Sequence, residues 1–226
     1  MNHQIQRAGL ISGIGIFIMV LTVPVAEFVI FPKLINYTDP EATFNAIKES
    51  RNLFTLGIFL HLMTLICDVV VAWSLYIFLK PADKQLSLLA AFFRITFAMV
   101  TLASLLNLIS VLNLTSNSAY LAVFDASLYS EVLLTIKNFN QQWGFAFSFF
   151  SIYLILLGVL VYKATYIPKL FGILLIIAGT GYLVNTLRSF FFPSISMDYF
   201  MITYFGELVF MFWLLIKGWR VKVFAD

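Results

Sequence analysis

The chain has 226 residues, of which 62% are hydrophobic and only 11% are charged. Average soluble domains are about 45–50% apolar and about 25% charged. A soluble globule of this composition would expose large apolar patches to water, which excludes an ordinary soluble domain, a disordered protein and a disulfide-rich secreted domain. The composition indicates that the solvent of this protein is a lipid bilayer.

The basic, cysteine and histidine residues give no indication of a nucleic-acid partner or of a metal site. The net charge of +3 is small and the sequence holds no basic run, so we expect no nucleic-acid partner. The single cysteine, Cys67, cannot form an intrachain disulfide. Together with His3 and His61 it gives too few ligands for a Cys/His zinc site. We therefore expect neither a metal nor a cofactor.

Long apolar stretches dominate the sequence. A spanning helix needs about 20 mainly apolar residues, and six stretches meet this requirement. Their continuous apolarity favours helices, because strands of a membrane barrel alternate apolar and polar residues. We predict an all-α integral membrane bundle of six transmembrane helices that forms a single transmembrane domain over residues 1–226. The predicted spans are 8–31, 52–79, 85–114, 142–162, 170–192 and 199–216.

Two connecting segments carry helical signals. Asp39 suits a helix N-cap, Pro40 suits the first turn, and Glu41 favours the positive end of the helix dipole. We therefore predict a short amphipathic helix at the outer interface before the second span. Segment 116–139 has a weaker helical pattern, for which we expect one or two interfacial turns.

The basic residues near the span ends predict the orientation. Cytoplasmic flanks are enriched in Lys and Arg. With a cytoplasmic N-terminus, eight basic residues fall inside and four outside, so we expect both termini in the cytoplasm. The inside residues are Arg7, Lys80, Lys84, Lys163, Lys169, Lys217, Arg220 and Lys222, and the outside ones are Lys33, Lys48, Arg51 and Lys137.

Asp68 and Arg94 are charged residues within neighbouring spans. A charge at the centre of a span costs about 2.5–3.5 kcal/mol on insertion scales, so such groups pair or line a wet cavity. A short hairpin joins these two spans, which makes them antiparallel neighbours. The two residues lie roughly 16 Å and 14 Å from the same ends of their helices. We predict a buried ion pair, and the alternative is a proton- or ion-coupled relay opened by protonating Asp68.

Further polar residues form a second layer, in the half of the predicted spans near the outer ends. We predict a polar pocket open to the outside or to the outer leaflet. Alternatively, the charges nearest the ends snorkel to water. Glu207, about 12 Å inside its span, is too deep to snorkel, and we expect it to be functional or, equally, a packing residue. Pro24, one turn before Glu27, predicts a kink. The pocket candidates are Glu27, His61, Asn107, Asn185, Arg188 and Glu207.

Six short strings together resemble one family. They are Arg7–Leu10, Leu65–Val69, Leu88–Arg94, Pro168–Gly172, Gly181–Leu183 and Gly206–Leu208. The chain resembles the bacterial multi-pass membrane family catalogued as domain of unknown function 4386 (DUF4386). The resemblance covers nearly the whole chain, and the strings around Asp68 and Arg94 are its most specific part. It implies a bacterial cytoplasmic (inner) membrane protein with several helices, and it carries over no functional residue.

Three classes of function stay open. We favour a transport-related or ligand-binding bundle that holds a small molecule, a lipid or an ion in the polar pocket. The alternatives are a structural, immunity-like or regulatory membrane subunit and an intramembrane enzyme that acts on a lipid. An enzyme is less favoured, because the sequence contains none of the common nucleotide-binding, metalloprotease or nucleophile-elbow motifs.

Overall fold

The structure, a computed structural model, describes residues 2–116, 121, 127–192 and 205–222. None of these described residues lies in a β-strand, so the predicted all-α class is confirmed. A π-helical turn, Val25–Ile30, joins the first two helices, and a 3-10 helix, Gly218–Arg220, follows the last. Helices α1 to α8 are Asn2–Pro24, Phe31–Leu34, Pro40–Glu49, Arg51–Leu79, Lys84–Leu114, Ser127–Lys163, Lys169–Phe191 and Phe205–Ile216.

Five helical segments are long and apolar enough to cross a membrane. They are the continuous stretch Asn2–Leu34 and the helices α4, α5, α6 and α7, with lengths from 23 to 37 residues. Large apolar side chains point outward from them, such as Phe28, which is 77% exposed. Such surfaces are stable against lipid and not against water. The chain is therefore an integral membrane protein.

The sixth predicted span, 199–216, corresponds in part to α8. This apolar helix has 12 described residues, Phe205–Ile216. The first part of the predicted span, 199–204, lies outside the described residues. The five long helices and α8 are thus approximately consistent with the predicted six spans.

The predicted short helix before the second span is α3. Asp39 caps it, since its Oδ1 accepts a hydrogen bond of 2.9 Å from the Ala42 amide, and Pro40 occupies the first helical position. The helix buries Thr43, Phe44 and Ile47 on one face, as an amphipathic helix should. Its location at an outer interface stays a prediction.

The expectation of one or two interfacial turns in segment 116–139 was wrong for residues 127–139. Helix α6 begins at Ser127 and runs without interruption to Lys163, so residues 127–139 form its first turns. Val132, Leu133 and Ile136 are buried there and continue the apolar face of the helix. Helix formation is cooperative, so this packing extends the spanning helix in preference to starting a separate one. Residues 117–120 and 122–126 lie outside the described part.

The hairpin between α4 and α5 is fixed by Asp83. Its carboxylate accepts a hydrogen bond of 3.0 Å from the Leu86 amide and lies 2.9 Å from Lys163 Nζ. The Leu86 amide and then the Lys163 ammonium hold the pKa of Asp83 below its usual range. The capped turn leaves α4 and α5 antiparallel.

The chain divides into two compact units. The first comprises Met1–Ile18, Ile66–Met99 and Gly144–Asp226, and the second comprises Met19–Leu65 and Val100–Trp143. Helices α1, α4, α5 and α6 each contribute residues to both units. The prediction of one transmembrane domain therefore stays a prediction, and each unit is described below by itself.

Helices α6 and α7 make a close backbone contact in the first unit. A Cβ atom added at Gly158 would lie 2.7 Å from the Gly172 carbonyl oxygen, and one added at Gly172 would lie 2.7 Å from the Gly158 carbonyl oxygen. Real Cβ atoms do not approach backbone this closely. Small residues of this kind allow membrane helices to pack through their backbones.

Gly158→Ala should lower the free energy of unfolding by about 1–3 kcal/mol, as overpacking does in other interiors. The matched control is Gly144→Ala on the same helix, where an added Cβ meets nothing within 4 Å. That change should be neutral or stabilising by up to about 1 kcal/mol, because Ala favours helix over Gly. Thermal unfolding of both variants in detergent measures the difference, and equal effects would show that the contact does not constrain the helices.

Candidate functional site

Arg94 on α5 lies at the centre of a buried polar cluster in the first unit. Its Nη2 atom is 2.8 Å from Asp68 Oδ1 on α4, and its Nε donates to the same oxygen at 3.0 Å. Its Nη1 is 3.0 Å from Glu207 Oε1 on α8. The side chains of Arg94 and Asp68 are 1% and 2% exposed. The structure thus brings together the two residues that the sequence paired, and it adds Glu207 to them.

Tyr153 on α6 is the fourth member of this cluster. Its hydroxyl accepts a hydrogen bond from Arg94 Nη1, and its ring centre is 4.7 Å from the guanidinium carbon. The Phe150 ring centre lies 5.8 Å from the same carbon. A planar guanidinium with five donors suits such a site, because it can bond several groups at once while stacking on a ring. One side chain on α5 thereby connects α4, α6 and α8.

The depths of the four residues along their helices, which can be counted from the sequence, indicate this cluster. At 1.5 Å per residue, Asp68, Arg94, Tyr153 and Glu207 all lie about 14–16 Å from one set of helix ends. Counted from the opposite end of its predicted span, Glu207 falls at the depth of other polar residues, and Tyr153 carries no formal charge that would single it out. The four relevant ends are Leu79, Lys84, Lys163 and Ile216.

The space beside Gly206 is filled by protein backbone. A Cβ atom added there would lie 2.5 Å from the Leu174 carbonyl oxygen on α7, so α8 packs closely against α7. Glu207, the next residue on α8, therefore lies beside this helix contact, and its carboxylate pairs with Arg94. The side chain of Glu207 is 18% exposed. This geometry favours the packing role for Glu207. The proton- or ion-relay role of the cluster stays a hypothesis.

Glu27 and His61 form a pair in the second unit. Glu27 lies on the π-helical turn that follows Pro24, where the Phe31 amide donates to the Ala26 carbonyl five residues earlier. The structure thus has a π-helical turn directly after Pro24, and the kink expected there stays a prediction. Glu27 Oε1 lies 2.8 Å from His61 Nε2 on α4. Single π turns of this kind recur at functional sites.

Aromatic rings enclose His61. The imidazole stacks on Phe31 at a centroid distance of 5.8 Å, and Phe139 and Trp143 meet it edge-on at 5.5 Å and 5.3 Å. The side chain of His61 is 2% exposed, whereas that of Glu27 is 21% exposed. His61 is thus the buried member of the pair, and Glu27 is the more exposed member.

A cavity of about 260 Å³ lies beside Glu27. Its described lining combines one carboxylate, one amide, one phenol and apolar walls, and it includes no Lys or Arg. Asn140 Nδ2 donates a hydrogen bond of 2.7 Å to the Tyr37 hydroxyl, which connects two of the polar lining groups. The lining residues are Glu27, Phe31, Pro32, Ile35, Tyr37, Leu108, Ile136, Phe139 and Asn140.

The other pocket candidates have separate surroundings. Asn107 Nδ2 donates to Gln142 Oε1 and to the Ser104 carbonyl, each at 2.9 Å. Asn185 and Arg188 lie about one turn apart on α7, and both are half-buried. Of the six residues predicted to share a pocket, Glu27 alone is part of this cavity's described lining. Among the described residues, no group of three or more His, Cys, Asp or Glu could hold a metal ion.

Replacing Arg94 by Gln should lower the free energy of unfolding by roughly 3–5 kcal/mol, because two carboxylates then lose their counter-charge in the protein interior. The triple variant Asp68→Asn, Arg94→Gln, Glu207→Gln removes these charges together and should be milder than Arg94→Gln alone. Unfolding by sodium dodecyl sulfate, followed by circular dichroism, measures both effects.

The control for this experiment is Lys163→Gln, which breaks the exposed ion pair with Asp83. Exposed ion pairs contribute little to stability, so this variant should unfold close to the wild type. A triple variant that is less stable than Arg94→Gln would contradict the account of a mutually compensating cluster.

Comparisons with known proteins identify the family. The model of the DUF4386 family, described as a domain of unknown function, matches residues 11–218. An uncharacterized protein of Archaeoglobus fulgidus is 36% identical over 167 residues, which cover 74% of this chain and 85% of that protein. This relative is archaeal, so the family resemblance does not by itself indicate a bacterial protein. No solved structure matches the chain. The match over almost the whole chain shows that it belongs to the DUF4386 family.

Proposed function

We propose that this integral membrane protein binds a small molecule in the cavity beside Glu27. The observation that carries the proposal is the pairing of this carboxylate with His61, which is buried among aromatic rings. Removing a carboxylate from water costs free energy unless hydrogen bonds or a counter-charge replace its hydration. His61 supplies part of this replacement, and a bound ligand would supply the rest.

The lining has the composition of a ligand site. Such sites are mainly apolar, with a few polar groups that orient the ligand. Leu108, Ile136 and Phe139 supply apolar wall, whereas Glu27 and Asn140 supply polar groups. The volume of about 260 Å³ is just below the range of about 300–1,000 Å³ typical of drug-sized ligands. The ligand is therefore smaller than a typical drug.

The entrance to the cavity is accessible. Pro32 and Tyr37 both line the cavity and are exposed at the surface of the second unit. A ligand can thus enter beside these residues without unfolding a helix. Binding of this kind suits a transport-related protein as well as a ligand-responsive one.

The second candidate function is a structural or regulatory membrane subunit. The Arg94 cluster supports it, because this cluster uses its polar groups to connect four helices. The first unit would serve as a scaffold whether or not the second unit binds a ligand. The cavity of the second unit is the observation that favours ligand binding over a purely structural role.

For the cellular location we propose the cytoplasmic membrane, with both termini in the cytoplasm. The excess of Lys and Arg on one set of loops supports this orientation. The loop between α4 and α5 would then face the cytoplasm, and α3 would face the outside.

Asn140→Trp should abolish binding of small aromatic probes by filling the cavity at one of its lining positions. The probes are 2-phenylethylamine, 2-phenylethanol and phenylacetate, measured by calorimetric titration of the detergent-solubilised protein. The control is Asn138→Trp on the same helix, at a half-buried position that does not line the cavity. If none of the three probes binds the wild type, or if both Trp variants bind like the wild type, the proposed site is wrong.

Cysteine labelling in a Cys67→Ser background tests the orientation. Gln85→Cys places the label on an exposed residue beside the α4–α5 loop and leaves the bonds of Asp83 intact. A membrane-impermeant maleimide should label Glu41→Cys on α3 in intact cells, and it should label Gln85→Cys only after the membrane is opened. The reverse pattern would show that the termini face the outside.

A further inference from the structure

We infer that the cavity beside Glu27 selects small organic cations, in particular primary ammonium ions that carry an apolar or aromatic group. The inference rests on the proposed ligand-binding function and specifies its ligand class. Three features of the cavity lead to it: the charge of the wall, the pattern of hydrogen-bond acceptors, and the aromatic lining.

The charge of the wall is negative. His61 Nε2 lies 2.8 Å from Glu27 Oε1, which is within hydrogen-bonding distance. The His61 ring itself packs against the rings of Phe31, Phe139 and Trp143 and does not line the cavity. The described lining holds one carboxyl group, that of Glu27, and no Lys or Arg, so its formal charge is negative.

The groups around the carboxylate do not cancel this charge. The described lining contains one further ionisable side chain, the phenol of Tyr37 in the connection between α2 and α3, and it contains no Lys or Arg. The basic residues Lys33 and Lys137 lie on α2 and α6, but both are exposed and neither lines the cavity. An anionic ligand would therefore meet a like charge with no compensating cation.

The acceptors match a primary ammonium ion. Such an ion has three N–H donors and no acceptor. Glu27 contributes carboxylate oxygen, the Asn140 amide contributes its Oδ1 because its Nδ2 donates to Tyr37, and the Tyr37 hydroxyl oxygen is a third acceptor. A hydroxyl compound in the same place would leave the negative charge uncompensated.

The aromatic lining fits the organic part of the ligand. Phe31, Tyr37 and Phe139 all line the cavity, and aromatic rings attract cations while accommodating apolar groups. The volume of about 260 Å³ exceeds what a bare metal ion needs. A hard divalent cation prefers oxygen ligands, whereas most of the described lining is apolar or aromatic.

The test compares three probes of similar shape and different charge on the full-length protein in a non-ionic detergent. By calorimetric titration, 2-phenylethylammonium should bind the wild type at least tenfold more tightly than 2-phenylethanol, and phenylacetate should bind more weakly than either. Glu27→Gln should weaken binding of the ammonium ion at least tenfold and leave binding of the alcohol unchanged. The matched control Glu131→Gln removes an exposed acid of the same unit that does not line the cavity, and it should bind like the wild type.

The outcomes separate this inference from the function on which it rests. Equal affinity of the wild type for the ammonium ion and the alcohol would overturn the cation specificity, while ligand binding itself would survive. Binding of none of the three probes would overturn both. If Glu27→Gln does not fold, the probe series on the wild type decides, because it needs no substitution.

Discussion

A guanidinium buried among membrane helices has no water to solvate it, and Arg94 is in this position. Its charge cannot be removed by losing a proton, because a guanidinium stays protonated in proteins. The protein must therefore supply every partner from its own helices. Asp68, Tyr153 and Glu207 do so from α4, α6 and α8. This requirement constrains how α4, α5, α6 and α8 pack in the first unit. In the same unit, α6 also makes a close glycine contact with α7.

The second unit also places a charged side chain among membrane helices, but with different surroundings. Here Glu27 pairs with His61, and Glu27 also lines a cavity. The Arg94 cluster places its acceptors around a single cation, which suits a structural role. Glu27 is 21% exposed and lines a cavity whose described lining has no Lys or Arg, which suits a role in binding. The buried Arg94 cluster is therefore the candidate scaffold of this protein. The Glu27 site, which lines a cavity, is the candidate ligand site.

The π-helical turn connects local backbone chemistry to this open site. Pro24 removes one amide from the ladder of α1, and the turn that follows carries Glu27. The same stretch continues into Phe31, which stacks on His61 and lines the cavity. A single interruption of the helix thus contributes the carboxylate, the ring that supports its partner, and part of the cavity wall.

The sequence by itself determined the lipid solvent, the all-α class and the cap of α3 at Asp39, because composition and local capping act over a few residues. It also predicted the neighbouring positions of Asp68 and Arg94, since a short hairpin leaves two helices little choice of arrangement. It did not predict that Tyr153 and Glu207 join Arg94, or that Glu27 takes His61 as its partner. Depth along a helix can be counted from sequence, but the rotation of each helix about its axis cannot. That rotation is decided by packing between distant segments, such as the approach of α8 to α7 at Gly206, and only the tertiary structure contains it.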